Sequence, residues 1–136
     1  MEYNKSTNYT IEEFKDIIEM LRSENGCPWD RVQTHESLKP CMMEEAAEVL
    51  AGIRILNQTG NGENLKEELG DVLFSVVNLA RHLKVDPVLA LASTNEKFKR
   101  RFGYVEEKME SSGIEMKQEN LEIMDKFWDE GKALGL

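Results

Sequence analysis

Two apolar patterns of helical period, one from Leu38 to Leu56 and the next from Leu65 to Leu83, are separated by little more than Thr59-Gly60-Asn61-Gly62. A connector that short obliges two helices to fold back on one another, so the centre of the chain is predicted to be an antiparallel helical hairpin. The flanking sequence repeats the theme. Thr10-Ile11-Glu12-Glu13 matches a capping box, and Ile11, Phe14, Ile18 and Leu21 follow at helical spacing. That helix should end near Ser23, before the turn Asn25-Gly26-Cys27-Pro28. Trp29 to Lys39 reads as a loop with a single turn of helix, and Pro40 suits the first turn of the helix that runs to Asn57. The next helix is expected over Asn64 to Leu83, and Asp86 caps another that carries Val88, Leu91, Asn95, Phe98, Phe102, Val105 and Met109. Ser111-Ser112-Gly113 ends it, and a last helix over Asn120 to Leu134 places Leu121, Met124 and Trp128 on one side. Almost nothing reads as a strand. The expected fold class is all-α, an antiparallel bundle of about five helices.

Length and charge narrow the function. A chain of 136 residues accommodates one domain with a real core. Residues 1–9 are expected to be a polar extension and 10–136 the domain. A formal net charge of -9 repels nucleic-acid backbone, so direct DNA or RNA binding is not expected. The same charge repels a nucleotide polyphosphate unless metal ions and a local basic patch intervene. Cys27 and Cys41 suggest no disulfide framework, and no apolar run reaches membrane-spanning length. With no apolar signal core in residues 1–9, the expected location is the cytoplasm.

The hairpin helices carry two acidic blocks, Glu44-Glu45-Ala46-Ala47-Glu48 and Glu67-Glu68-Leu69-Gly70-Asp71. Carboxylates three residues apart project from the same helical face, and four of them gathered across two helices repel one another. A hard divalent cation such as Mg2+ offsets that repulsion, prefers oxygen ligands and leaves positions open for phosphate. The helical period of about 100° per residue selects among the acids. On the first helix the apolar arc is set by Leu38, Met42, Ala46, Val49, Ile53 and Leu56; Glu45 falls within it, Glu48 at its edge and Glu44 well outside. On the second the stripe is Leu65, Leu69, Val72, Val76, Leu79 and Leu83; Glu68 and Asp71 flank it together while Glu67 turns away. Glu45, Glu48, Glu68 and Asp71 are therefore the expected metal ligands. Charge-rich helix faces are also ordinary solvated surface, and the pattern alone leaves both readings standing. Gly70, between two candidate ligands, permits close approach of a helix or a ligand.

Other groups suit phosphate. Lys97 and Arg101, four residues apart in the basic run Asn95-Glu96-Lys97-Phe98-Lys99-Arg100-Arg101, lie along one flank of the Phe98–Phe102 stripe. They either neutralise phosphate oxygens or pair with glutamates on adjacent helices. Asn95, on the stripe itself, is either a buried bridge or a polar contact to the ligand. Trp29 and Trp128 each either stack on a nucleobase or plug the bundle. Neither His35 nor His82 lies three residues after a glutamate, which counts against a ferritin-like di-iron site.

Four motifs in order carry a resemblance: Asn25-Gly-Cys-Pro-Trp-Asp30, Glu44-Glu45-Ala-Ala-Glu48, Glu68-Leu-Gly-Asp71, and Asn95-Glu-Lys-Phe-Lys-Arg-Arg-Phe102. The chain resembles the MazG-type nucleoside triphosphate pyrophosphohydrolases of the all-α NTP pyrophosphatase superfamily, over residues 10 to 134. The resemblance implies hydrolysis of nucleoside triphosphates to monophosphate and pyrophosphate, by water attack at the α-phosphorus on a metal cluster of Mg2+, with Mn2+ the alternative. It assigns Glu45, Glu48, Glu68 and Asp71 to the catalytic metal site, Lys97 and Arg101 to phosphate, and Trp128 to the nucleotide. It further implies a helical bundle that assembles as a homodimer or homotetramer. The nearest alternatives are the related dUTP and phosphoribosyl-ATP pyrophosphohydrolases, against which the Cys-Pro-Trp-Asp loop argues, and a non-catalytic module that senses nucleotides or divalent ions.

Overall fold

The computed structural model describes residues 8–136, so most of the polar extension expected over 1–9 lies outside the described residues. Among the described residues there are six α-helices, one turn of 3-10 helix and no strand. The helices are α1 (Ile11–Leu21), α2 (Pro28–Arg31), α3 (His35–Thr59), α4 (Glu63–His82), α5 (Pro87–Ser111) and α6 (Leu121–Ala133). The all-α expectation holds. The sixth helix is the single turn foreseen in the segment before α3, the short α2, whose first residue is Pro28. The chain falls into two compact units, one ending at Val88 and one starting at Leu89.

In the first unit the helix starts follow local chemistry. Thr10 and Glu13 form the reciprocal capping box: the Glu13 amide donates to Thr10 Oγ1 at 3.2 Å and the Thr10 amide to Glu13 Oε2 at 2.8 Å. The Thr10 amide first, and the Thr10 side chain after it, hold the Glu13 carboxyl below its ordinary range. After α1 the chain turns so tightly that a Cβ on Gly26 would stand 2.2 Å from the Leu21 carbonyl oxygen, so only glycine fits there. The start of α3 corrects the sequence reading. The helix begins at His35, and Pro40 lies inside it. Thr34 and Ser37 cap it reciprocally, with the Thr34 amide donating to Ser37 Oγ at 2.8 Å and the Ser37 amide to Thr34 Oγ1 at 3.1 Å. Pro40 deprives only the Glu36 carbonyl of its helical donor, and Glu36 is exposed, so water can supply the bond.

Helix α3 ends at Gly60, whose φ of 73° is the left-handed conformation that closes a helix, its amide donating to the Leu56 carbonyl at 2.8 Å. The short connector then returns the chain into α4, which packs along α3 on one flank and against α1 on another. Val77 of α4 is buried, 5% exposed, and joins Ile18 and Leu38 in the core. The apolar stripe foreseen for α4 is covered only in part: Leu65, Val72 and Leu79 are half-buried, whereas Leu69 is 50% exposed and Val76 42%. A helix held between two neighbours buries two flanks, and an apolar arc drawn about one centre misses that division.

The second unit is the continuation of α5, the 3-10 turn Gln118–Asn120 and α6. Val105 and Met109 are its buried residues on α5. The Tyr104 hydroxyl donates to Glu130 Oε1 at 2.7 Å across to α6, and this bond first, then burial, pushes the phenol above its ordinary range. Toward its start α5 is exposed from Leu89 to Arg100. The foreseen stripe on this helix is therefore buried only from Val105 onward. No described helix is long and apolar enough to cross a membrane.

Candidate metal centre

Glu45 and Glu48 lie on α3 and Glu68 on α4, and carboxylate oxygens from the three come within 4.8 Å of one another. The hairpin makes this convergence possible. Gly52, one turn after Glu48, is buried against α4, where an added Cβ would stand 3.0 Å from Leu65 Cα. Glycine at that crossing lets the two backbones approach closely enough for side chains a turn away to meet. Glu45 and Glu68 are half-buried and Glu48 is exposed.

Burial, followed by the charges of Glu48, Asp71, Glu68 and Glu44, raises the Glu45 pKa above its ordinary carboxylate value. A carboxylate so placed is destabilised as an anion, and the group that relieves it is a cation. Three hard oxygen donors, no nitrogen or sulfur among them, fit Mg2+ or Mn2+. Asp71 is exposed and does not join the triplet, although its charge reaches Glu45. Glu44 and Glu67 are exposed and outside the triplet. Among the described residues nothing lies within 4 Å of the space a Cβ would take on Gly70, so no described helix uses the close approach foreseen there.

Glu45 also lines a cleft of about 350 Å³ within the first unit, together with Trp29, Gln33, Phe74, Ser75 and Asn78. Trp29 is 74% exposed, so it does not plug the bundle. Asn78 Oδ1 is buried without a hydrogen-bond partner. Sequence reasoning did not single out Ser75 and Asn78, yet they follow Asp71 at spacings of four and three, which puts them on the same flank of α4. Asn64 was also missed: its Nδ2 donates to Glu68 Oε1 at 2.9 Å, a bond whose signal is an i, i+4 pairing ending on a candidate ligand. The two histidines, unpaired in sequence, have ring centroids 4.6 Å apart in a T-shaped contact. His82 Nε2 lies 2.8 Å from the Gln33 carbonyl oxygen, to which Arg22 Nη2 also donates at 3.2 Å. These bonds tie down the segment before α3, and among the described residues no histidine joins a cluster able to hold a metal ion.

In the second unit Lys97 and Asn95 are exposed. Arg101 donates Nε to the Leu136 carbonyl oxygen at 2.5 Å and stands 5.9 Å from the Trp128 ring centroid, while Phe98 lies 5.7 Å from the same ring. Trp128 is thus half-buried between an arginine and a phenylalanine.

The chain matches the model of the MazG nucleotide pyrophosphohydrolase domain over residues 33–105, more than half its length. That span includes all four candidate carboxylates, Asn95, Lys97 and Arg101, and leaves Trp29 and Trp128 outside. The chain is 43% identical over 105 residues to the nucleoside triphosphate pyrophosphohydrolase/pyrophosphatase MazG of Thermotoga maritima, covering 74% of this chain and 40% of that protein. To the nucleoside triphosphate pyrophosphohydrolase of Escherichia coli K12 it is 48% identical over 68 residues, covering 50% of this chain and 26% of that protein. To YabN of Bacillus subtilis it is 52% identical over 69 residues, or 51% of this chain and 14% of that protein. The chain therefore spans less than half the length of each of these relatives. An all-α hairpin with converging carboxylates, matched in sequence from before α3 into α5, places this chain in the MazG nucleotide pyrophosphohydrolase domain family.

Proposed function

We propose that the protein hydrolyses nucleoside triphosphates to the monophosphate and pyrophosphate, with Mg2+ or Mn2+ held by Glu45, Glu48 and Glu68 and with Asp71 as the fourth carboxylate. The observation that carries this reading is the convergence of three carboxylates on the hairpin, within 4.8 Å of one another, in a chain of the MazG family. When bound, the cation supplies a Lewis acid that screens the triphosphate charge. A carboxylate oxygen of the cluster orients the attacking water and takes its proton as the water oxygen bonds to the α-phosphorus. The bond from the α-phosphorus to the bridging oxygen breaks, and its electron pair leaves with pyrophosphate. Lys97 and Arg101 provide positive charge for the departing phosphates in a protein whose net charge is -9. The cleft beside Glu45 receives the base, with Trp29 as a stacking surface and Asn78 offering an unpaired acceptor. Asn95 and Trp128 complete the set of nucleotide contacts.

The assembly proposed is a homodimer or homotetramer acting in the cytoplasm. Exposed Met43 and Leu50 on α3 and Leu69, Leu73 and Val76 on α4 support association, since apolar side chains in such number commonly mark an interface.

The decisive experiment incubates the protein with ATP, GTP, CTP, UTP and the deoxynucleotides plus Mg2+, in water labelled with heavy oxygen. Monophosphate and pyrophosphate should appear, with the label in the monophosphate. Label in pyrophosphate would overturn attack at the α-phosphorus. Binding without products would favour a sensing module instead.

A further inference from the structure

The candidate ligands on α4 begin with Glu68, and one turn earlier stands Asn64, whose Nδ2 donates to Glu68 Oε1 at 2.9 Å in a partly buried contact. Glu68 faces Glu45 and Glu48, both negatively charged, and its flexible side chain would otherwise swing toward water. A neutral amide donor counters that tendency without bringing a charge that competes with a cation. It uses one acceptor site of the carboxylate and leaves Oε2 and the remaining lone pair of Oε1 free.

Across the hairpin, Gly52 leaves room for this amide. A Cβ there would stand 3.3 Å from Asn64 Oδ1, 3.3 Å from Leu65 Cβ and 3.0 Å from Leu65 Cα. Any larger residue would press on the Asn64 amide and the α4 backbone at once. Glu48 and Gly52 on α3 therefore mirror Glu68 and Asn64 on α4: one turn carries the carboxylates and the adjacent turn sets their spacing and aim.

We infer that Asn64 is a positioning residue for the Glu68 carboxylate and that Gly52 is the spacer that allows it to act. The inference rests on the carboxylate triplet being the cation site proposed above. A ligand fixed by a hydrogen bond loses less freedom on binding, and removal of such an outer partner weakens metal affinity by about 10- to 100-fold.

The test titrates the full chain with Mn2+ alone and follows free Mn2+ by electron paramagnetic resonance, with circular dichroism and metal-free melting as controls for folding. Asn64→Ala should weaken Mn2+ binding by about tenfold or more with unchanged helicity. Asn64→Gln, which keeps the amide donor, should recover most of the affinity, an outcome that a purely packing role would not produce. Gly52→Ala should weaken binding in the same direction. Should Asn64→Ala fail to fold, Asn64→Ser, too short to reach Glu68, takes its place. Glu68→Gln separates the two levels of inference. If it loses Mn2+ while Asn64→Ala binds as tightly as the parent, the positioning role is overturned and the site stands. If Glu68→Gln itself binds Mn2+ like the parent, the cation site falls, and the role of Asn64 falls with it.

Discussion

The acidic hairpin and the basic stretch of α5 hold their charged groups in opposite ways. Glu45, Glu48 and Glu68 converge from two packed helices, with Gly52 at the crossing and Asn64 bonded to Glu68. Lys97, Lys99 and Arg100 stand on a stretch of helix that is exposed throughout from Leu89 to Arg100. Of the basic run, Arg101 is anchored, by the Leu136 carbonyl and the Trp128 ring. Each task sets its own mechanical requirement. Concentrating like charges needs a rigid frame, because the groups would otherwise separate. Presenting positive charge to a polyphosphate tolerates long, mobile side chains, whose attraction is long-ranged and whose partner arrives with the substrate.

Disrupting the acidic side should produce the largest effect. Glu45→Gln and Asp71→Asn should each lower turnover by about a hundredfold or more with the helical circular dichroism intact. Near-parental activity in both would defeat the site assignment. A metal titration follows in size. A cation bound only by the native hairpin at a hundred times its dissociation constant should add about 2.7 kcal/mol of stability, read as a higher melting temperature. Glu68→Gln should shrink that gain.

The basic side should respond more gently. Loss of a single charge-assisted contact, as in Lys97→Ala, costs roughly 1.5–3 kcal/mol, so KM for a triphosphate should rise about tenfold or more. That increase should fade at high ionic strength, whereas the loss in Glu45→Gln should persist. An equal salt response in both variants would erase the contrast between the two regions.

The smallest effect is a control that belongs to neither region. Thr10→Ala removes the cap of α1 and should lower the melting temperature by roughly 3 °C without altering KM. The Glu13 carboxyl is depressed below its ordinary 4.5 by bonds to Thr10. The stability it contributes is therefore present above that value and disappears as the pH falls through the lower folded-state value. The parent should thus lose this increment in acid, and Thr10→Ala, which keeps the backbone amide that chiefly lowers the carboxyl and removes only the side-chain bond, should lose a somewhat smaller one, as a melting series against pH would show.

Those cases also separate what was legible in the chain from what was not. The Thr10 capping box, the connector Thr59-Gly60-Asn61-Gly62, the Asp86 cap and the two acidic pairs are local patterns, readable because their partners lie within a turn. The start of α3 is local too, but two signals compete there. Pro40 favours a first turn, while Thr34 and Ser37, earlier in the chain, satisfy each other's amides, and the reciprocal cap prevails. The buried face of α4 was legible only in part, and its most buried residue, Val77, lies outside the foreseen stripe. Val77 turns inward because α1 lies on that side, and nothing within α4 itself records where α1 will pack.

An all-α chain, the hairpin at its centre and the pairing of acids along each helix all follow from residue order, because hydrophobic period, caps and connector length act over a few residues. Packing in three dimensions settled the rest: which acids meet, that a cleft opens beside Glu45 and that His35 touches His82. Each of these depends on how closely two helices approach and on their rotation about their own axes. Those quantities are set by contacts between residues distant in the chain, Gly52 against Leu65 foremost among them.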